Sequence, residues 1–414
     1  MIASRPIDIA VVPVSFRDLV PEITTSAYLT HGLYYYPAKF IPHAVRYCLQ
    51  QYTQPGDTVV DPFAGSGTVG LEACLCGRRA FLLDLNYLLD HIIPLKIYQG
   101  RLALSPAVLE ERLHAIFSGD TEFHPHWNTI AYWYAPEILA GLQRLWGAQK
   151  QLPHDTYALI LEAALLKVSK HYSYAEHRLP KLFRSKSKRL YIDGLLQGDW
   201  QSRLHRQLRT QAQNILIDIN GLVEMLNGSV PALVHQGGVD SGSYEFRPGM
   251  EFHALISSPP YLQAQEYVRT FKLDLYWLGY KQRDIQRITA LEIPYRKATR
   301  IVETHTLNAV RTRLSNAKLS AMLDSYFCHT LNVFDNAMAQ LVRGGRACIF
   351  IGNPRVDGLE VEIWRVFMEY FADRGFDCET VLEDRIKARQ LFSARKNKNP
   401  DGMKSEFMLI LRKQ

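Results

Sequence analysis

Two short stretches of this chain combine residue types and spacings suited to chemistry. The first is Ser257-Ser258-Pro259-Pro260-Tyr261, which follows an apolar run. Two consecutive prolines fix φ and remove two N–H donors, leaving a rigid turn rich in acceptors. The Ser258 hydroxyl and the Pro259 carbonyl suit an amino group whose lone pair is delocalised. They can bind both of its hydrogens, favour a more tetrahedral nitrogen and orient its lone pair toward an electrophile. Tyr261 adds a ring on which a flat base can stack. The second stretch is Asp61-Pro62-Phe63-Ala64-Gly65-Ser66-Gly67-Thr68, also after an apolar run. Glycine has no Cβ, so the backbone there can turn sharply and approach a ligand closely. A helix starting at the loop presents free N–H groups to a carboxylate, and Asp61 beside it can meet a cationic amino group.

These loops require strands to hold them. The turn Gln54-Pro55-Gly56-Asp57 precedes a short buried strand, Thr58 to Val60, and a helix from Val69 to Cys76 follows the glycines. A second strand, Ala80 to Leu83, ends at Asp84. The order strand–loop–helix–strand predicts a parallel pair with a right-handed crossover. Asp84 stands roughly 20 positions beyond the glycines, where an acceptor for ribose hydroxyls is expected. The methionine part of S-adenosylmethionine carries both charges that this loop suits. Gly65, Gly67 and Gly70 also satisfy the Gly-x-Gly-x-x-Gly spacing, so a nicotinamide cofactor stays open, as does a glycine turn with no ligand.

Ile41 to Leu49 reads as a helix, and residues 1–30 yield no assignment. From about 101 to 230 helical periodicity dominates: Leu204, Leu208, Ala212, Ile215, Ile219, Leu222 and Leu226 fall on one face. The α/β pattern resumes with strands at Ala232 to His235 and His253 to Ser257. Residues 262–340 are again helix-rich. A turn at Arg343-Gly344-Gly345-Arg346 then precedes a strand Ala347 to Ile351, a helix Glu360 to Phe371 and a final strand Phe407 to Leu411.

Asp-Pro-Phe-x-Gly-Ser-Gly-Thr together with Ser-Pro-Pro-Tyr resembles the cofactor and catalytic loops of the site-specific DNA amino-methyltransferases, most closely the cytosine-N4 type. Tyr34-Tyr35-Tyr36-Pro37-Ala38-Lys39-Phe40-Ile41-Pro42 is similar to that family's additional cofactor-contacting segment. Gln265-Glu266-Tyr267 and Lys272 to Gly279 resemble the helix that often follows the catalytic loop. The resemblance implies a Rossmann-like α/β fold: a mostly parallel sheet with an antiparallel strand near the C-terminus and helices on both faces. The catalytic domain would be discontinuous, 31–100 and 232–414, with 101–231 a mainly helical insertion and candidate target-recognition region. It further implies S-adenosylmethionine bound by Lys39, Phe40, Asp61, Phe63, Gly65, Ser66, Gly67, Thr68, Asp84 and Asp240. Ser258, Pro259, Pro260 and Tyr261 would act on a base flipped out of double-stranded DNA. Serine at the first position favours cytosine N4 over adenine N6, which stays open. A cytosine-C5 enzyme needs a thiolate, normally in a Pro-Cys pair, and no Pro-Cys dipeptide occurs.

Basic runs could contact phosphates. One is Lys181, Arg184, Lys186, Lys188 and Arg189. Another is Arg296, Lys297 and Arg300, and a third is Lys387, Arg389, Arg395, Lys396 and Lys398. Each is also compatible with a solvated face. The net charge of +7 permits a polyanionic partner without requiring one. An RNA guanosine-N2 methyltransferase and a catalytically silent DNA-binding module are the other readings kept, and a cognate restriction endonuclease is an open partner. With 414 residues, 47% hydrophobic and 21% charged, the composition is that of a globular protein. Six cysteines form no disulfide framework and no metal-ligand spacing. No signal-peptide layout is visible, and the longest apolar helical segment, Tyr157 to Val168, contains Glu162 and is too short to span a bilayer. A cytoplasmic protein with no membrane role is expected.

Overall fold

The computed structural model describes residues 9–176, 182–262, 266–386 and 403–414. Lys181, Gln265 and the basic run from Lys387 to Lys398 lie outside the described residues. Eight strands form one sheet: β1 (Val11–Val14), β2 (Thr58–Asp61), β3 (Arg79–Leu83), β4 (Leu233–Gln236), β5 (Phe252–Ser257), β6 (Leu341–Gly352), β9 (Phe376–Arg385) and β10 (Ser405–Lys413). A separate two-stranded pair joins β7 (Arg355–Val356) to β8 (Leu359–Glu360). The order across the large sheet is β1-β9-β10-β6-β5-β2-β3-β4. Only β10 runs antiparallel to its neighbours, β6 and β9; the other pairings are parallel. The sheet is therefore the mostly parallel α/β sheet expected, with its antiparallel strand near the C-terminus.

Alternation along the central strands explains the two covered faces. Val60, Phe81, Leu83, Leu255 and Ile349 pack with Phe327 and Phe334 of helix Ala317–Ala339 and Trp364 and Phe367 of helix Ile363–Ala372. Val59, Leu82, Ala254, Ile256 and Phe350 face the other way, onto helices Pro42–Tyr52 and Thr68–Leu75. The chain winds from β2 outward to β4, then returns to β5 on the far side of β2 and continues to β6. That reversal puts the carboxyl ends of β2 and β5 side by side, with Val60 opposite Leu255. A crevice outside the strand ends, at such a switch point, is where open α/β sheets bind ligands.

A second core belongs to the helices. Trp146 and Trp277 stack with centroids 5.6 Å apart, and each indole N–H finds a hydroxyl: Ser169 at 2.9 Å and Tyr134 at 2.8 Å. The seven apolar residues that define one face of 204–226 are all buried along helix Trp200–Leu226. Asp199 caps this helix by accepting from the Ser202 N–H, and Asn227 ends it at φ 45°.

Two readings of the sequence need correction. Arg343 to Arg346 is no turn before a strand; it lies inside β6, which starts at Leu341. Gly344 takes φ 77° and the register with β5 shifts between Phe252 and Ala254, so the glycines make a bulge and the strand continues. β1 and β9 had no assignment from sequence. β9, Phe-Asp-Cys-Glu-Thr-Val-Leu-Glu-Asp-Arg, is largely polar and only partly buried, so periodicity alone does not reveal it.

Candidate active site

Asp61 closes β2, and Ser258 follows the last residue of β5. The two loops are joined directly: the Ser257 hydroxyl donates to Asp61 Oδ1 at 2.7 Å, across 196 residues of chain. The same oxygen accepts the Phe63 N–H at 3.0 Å. From Asp84, at the end of β3, Oδ2 accepts the Gly65 N–H at 2.7 Å and Oδ1 the Asn86 N–H at 2.8 Å. Asp84 thus pins the glycine loop while each oxygen keeps a second lone pair. Burial pushes both acids up, Asp61 to about 7 and Asp84 to about 6, although their hydrogen bonds oppose it.

A cavity opens over these strand ends. It gathers Lys39, Phe40, Asp61, Phe63, Gly65, Ser66, Thr68, Asp84, Asp240, Ser258, Pro260 and Arg296 from the residues singled out in the sequence. Gly65 takes φ 54°, and a Cβ there would come within 3.2 Å of the Tyr36 ring, so glycine suits both the turn and the close approach of that ring. Tyr36 in turn stacks near Tyr267, centroids 6.1 Å apart. Lys39 donates to the His31 carbonyl at 2.6 Å, and burial lowers its ammonium to about 8. Phe40 stacks on Phe350 of β6 at 5.3 Å. Asp240 is paired with Arg296 at 2.9 Å and accepts the Gly242 N–H at 3.1 Å.

Gly67, Pro259 and Tyr261 are not in the lining. Gly67 starts helix Thr68–Leu75 at φ 73° with no side-chain cap, and packs toward Ile93. The Tyr261 hydroxyl donates to Glu406 of β10.

Two of the four described residues of the basic run in the helical region are held within the protein. The Arg184 guanidinium lies 4.3 Å and 4.5 Å from the rings of Tyr132 and Tyr174. Lys188 was expected to face phosphate, but it is 5% exposed, bonds to the His171 carbonyl and is lowered by burial to about 8. Lys186 is exposed, and Arg189 is exposed beside Asp193 at 3.8 Å. Lys297 is exposed, whereas Arg300 binds Asp335 at 3.0 Å and the Tyr370 hydroxyl at 2.7 Å.

The structure adds residues that motifs did not indicate. Glu292 lines the cavity at 7% exposure; its Oε1 accepts the Val268 N–H at 2.9 Å, while its Oε2 is buried without a partner among the described residues. Burial pushes it up to about 7. Thr68 Oγ1 is likewise buried without a partner at the start of its helix. An unpartnered hydroxyl, an uncapped helix N-terminus and acidic groups in one cavity suit a zwitterionic, hydroxyl-bearing cofactor such as S-adenosylmethionine.

A family model described as DNA methylase, covering N6 and N4 enzymes, matches residues 19–91. The chain is 22% identical to the type II methyltransferase M.BsoBI of Geobacillus stearothermophilus over 87% of its own length and 81% of that protein's. It is 24% identical to the type II methyltransferase M.MvaI of Kocuria varians, over 65% of this chain and 62% of that one. A shorter segment, 11% of the chain, is 47% identical to the type II methyltransferase M.XycI of Xanthomonas campestris pv. cyanopsidis. These matches, the sheet and the paired loops at its switch point all make the chain similar to the DNA amino-methyltransferases.

Proposed function

We propose that this DNA methyltransferase transfers a methyl group from S-adenosylmethionine to the exocyclic N4 of a cytosine flipped out of double-stranded DNA. The observation that carries the reading is the meeting of Ser258 and Pro260 with Asp61, Ser66, Thr68 and Asp84 in one cavity. Asp61 would receive the cationic amino group of the cofactor, the start of helix Thr68–Leu75 its carboxylate, and Asp84 its ribose hydroxyls. Lys39, Phe40 and Phe63 would enclose the same ligand, and Asp240 would lie toward its adenine. When bound, the cofactor supplies an electrophilic methyl group on a sulfonium.

The chain's own part is to present the amino nitrogen. Ser258 and the Pro259 carbonyl would accept its two hydrogens, and the prolines hold both acceptors still. So held, the nitrogen lone pair would face the methyl group that the cofactor supplies, with a neutral thioether as leaving group and one proton released to water. We assign stacking on the base to Tyr261, with its Glu406 bond fixing the ring. The choice of N4 over N6 rests on serine at position 258.

Residues 101–231 serve, on this reading, as the target-recognition region, with Lys186, Arg189 and Lys297 as phosphate contacts. The relatives are type II methyltransferases, which supports a role in restriction–modification beside a cognate endonuclease. The test is incubation with S-adenosylmethionine and mixed-sequence duplex DNA, followed by mass spectrometry of the nucleosides. N4-methylcytosine is expected. N6-methyladenine would overturn the use made of Ser258, and unmodified DNA beside a methylated RNA would overturn the substrate.

A further inference from the structure

The protein side of the glycine loop gathers more basic groups than acids. Lys96, the last residue of helix Leu88–Lys96, is 2% exposed. Its Nζ lies 3.4 Å from the Ser66 hydroxyl, and no carboxylate pairs with it among the described residues. Glu72 is the neighbouring acid, but it is already held by Arg46 at 2.7 Å, by His31 at 2.7 Å and by the Tyr28 hydroxyl. Lys39 adds a second ammonium close by. Burial, then the Lys39 charge, holds Lys96 well below the usual lysine range, while Glu72 opposes the shift. The basic groups of Lys39, Lys96 and Arg46 thus gather round one buried carboxylate.

A buried lysine without an acid is held toward its neutral amine, and an anion arriving nearby favours its charged form. The loop provides one route. Ser66 lines the cavity, and Lys96 does not. Immediately beyond Ser66 lie the uncapped N-terminus of helix Thr68–Leu75 and the unpartnered Thr68 hydroxyl. The acids of the cavity, Asp61, Asp84, Asp240 and Glu292, are on its other elements.

We propose that Lys96 is a positioning residue for the carboxylate of the bound cofactor, acting through the Ser66 hydroxyl to hold that end of the ligand against the helix start. The proposal rests on the S-adenosylmethionine reading above and adds to it the buried charge behind the grip.

Titration calorimetry with S-adenosylmethionine and with its decarboxylated analogue tests it on the intact chain. Wild-type protein should bind the parent more tightly than the analogue. Lys96→Met should weaken the parent by about 10- to 100-fold, the range of a charged hydrogen bond, and leave the analogue unchanged. Ser66→Ala should act in the same direction without disturbing the buried amine, so the test survives if Lys96→Met does not fold. Equal weakening of both ligands would mean a general structural role and overturn the proposal, as would no weakening of either. Failure of wild-type protein to bind either ligand would overturn the cofactor reading itself, and the proposal with it.

Discussion

The strand-end wall of the cavity and its helical wall hold their acids differently. On the first, Asp61 and Asp84 are engaged by N–H and O–H donors from their own and the adjoining loops, so the groups are in place before a ligand arrives. On the second, Glu292 spends one oxygen on the start of helix Tyr267–Leu278 and keeps the other buried and unpartnered. The strand wall is a finished receptacle, and the helical wall retains capacity to respond to what enters. Preorganisation of the first kind suits a ligand used in every turnover; the second suits a partner that has to be chosen.

The sharpest way to break this contrast is through the helical core. Trp277→Ala should destabilise the protein by about 3–5 kcal/mol, since the indole is fully buried and stacked on Trp146. Denaturant melts followed by tryptophan fluorescence and by cofactor binding would measure it. If binding were lost at the same midpoint as the fold, the two walls would form one cooperative unit. Ser258→Ala should next lower the rate by on the order of 10²–10³-fold with cofactor affinity unchanged, as loss of one preorganised hydrogen-bonding group does elsewhere. Single-turnover methylation beside calorimetry separates the two.

Asp84→Ala should weaken cofactor binding by about 1–3 kcal/mol, because it removes both an acceptor for ligand hydroxyls and the anchor of the Gly65 N–H. Unchanged affinity would remove Asp84 from the cofactor site. The acids also set a pH dependence. Asp61, Asp84 and Glu292 lie at about 7, about 6 and about 7 without ligand. Raised values mean that the folded, unliganded protein binds protons more tightly than the unfolded chain. Their stabilising contribution is full below roughly pH 4 and is lost as pH rises through 6 to 7. A cation needs the ionised forms, so cofactor affinity should climb over that same interval while the melting temperature of unliganded protein falls. Affinity that is flat with pH would place the cationic end of the ligand elsewhere. The smallest effect belongs to the surface: neutralising Lys186 and Lys297 together should reduce the salt slope of DNA affinity by about 2.

The strand wall was legible because its chemistry is local. Asp61 to Thr68 and Ser258 to Tyr261 are contiguous, and short apolar runs before them announce the strands. Their juxtaposition followed from the order of elements. Lys96 and Glu292 had no such signal. Each lies at a helix end, where a charged residue is ordinary, and each becomes notable only when folding closes off its solvent. Lys188 failed in the opposite sense: five basic residues in a short stretch look alike in sequence, and only packing against His171 and Tyr191 turns one of them inward. β9 was missed because an interior strand near the sheet edge tolerates polar residues on its exposed positions.

The bond from Ser257 to Asp61 makes one proton the common property of two reactant sites. Ser257 precedes Ser258, the residue proposed to hold the base, and Asp61 is the acid that a cationic methyl donor would ionise. Ionisation strengthens a hydrogen bond that Asp61 accepts. Arrival of the donor is then registered one residue from the place where the base must sit. Such a link would favour an ordered encounter, with the donor first to stiffen the turn and DNA second.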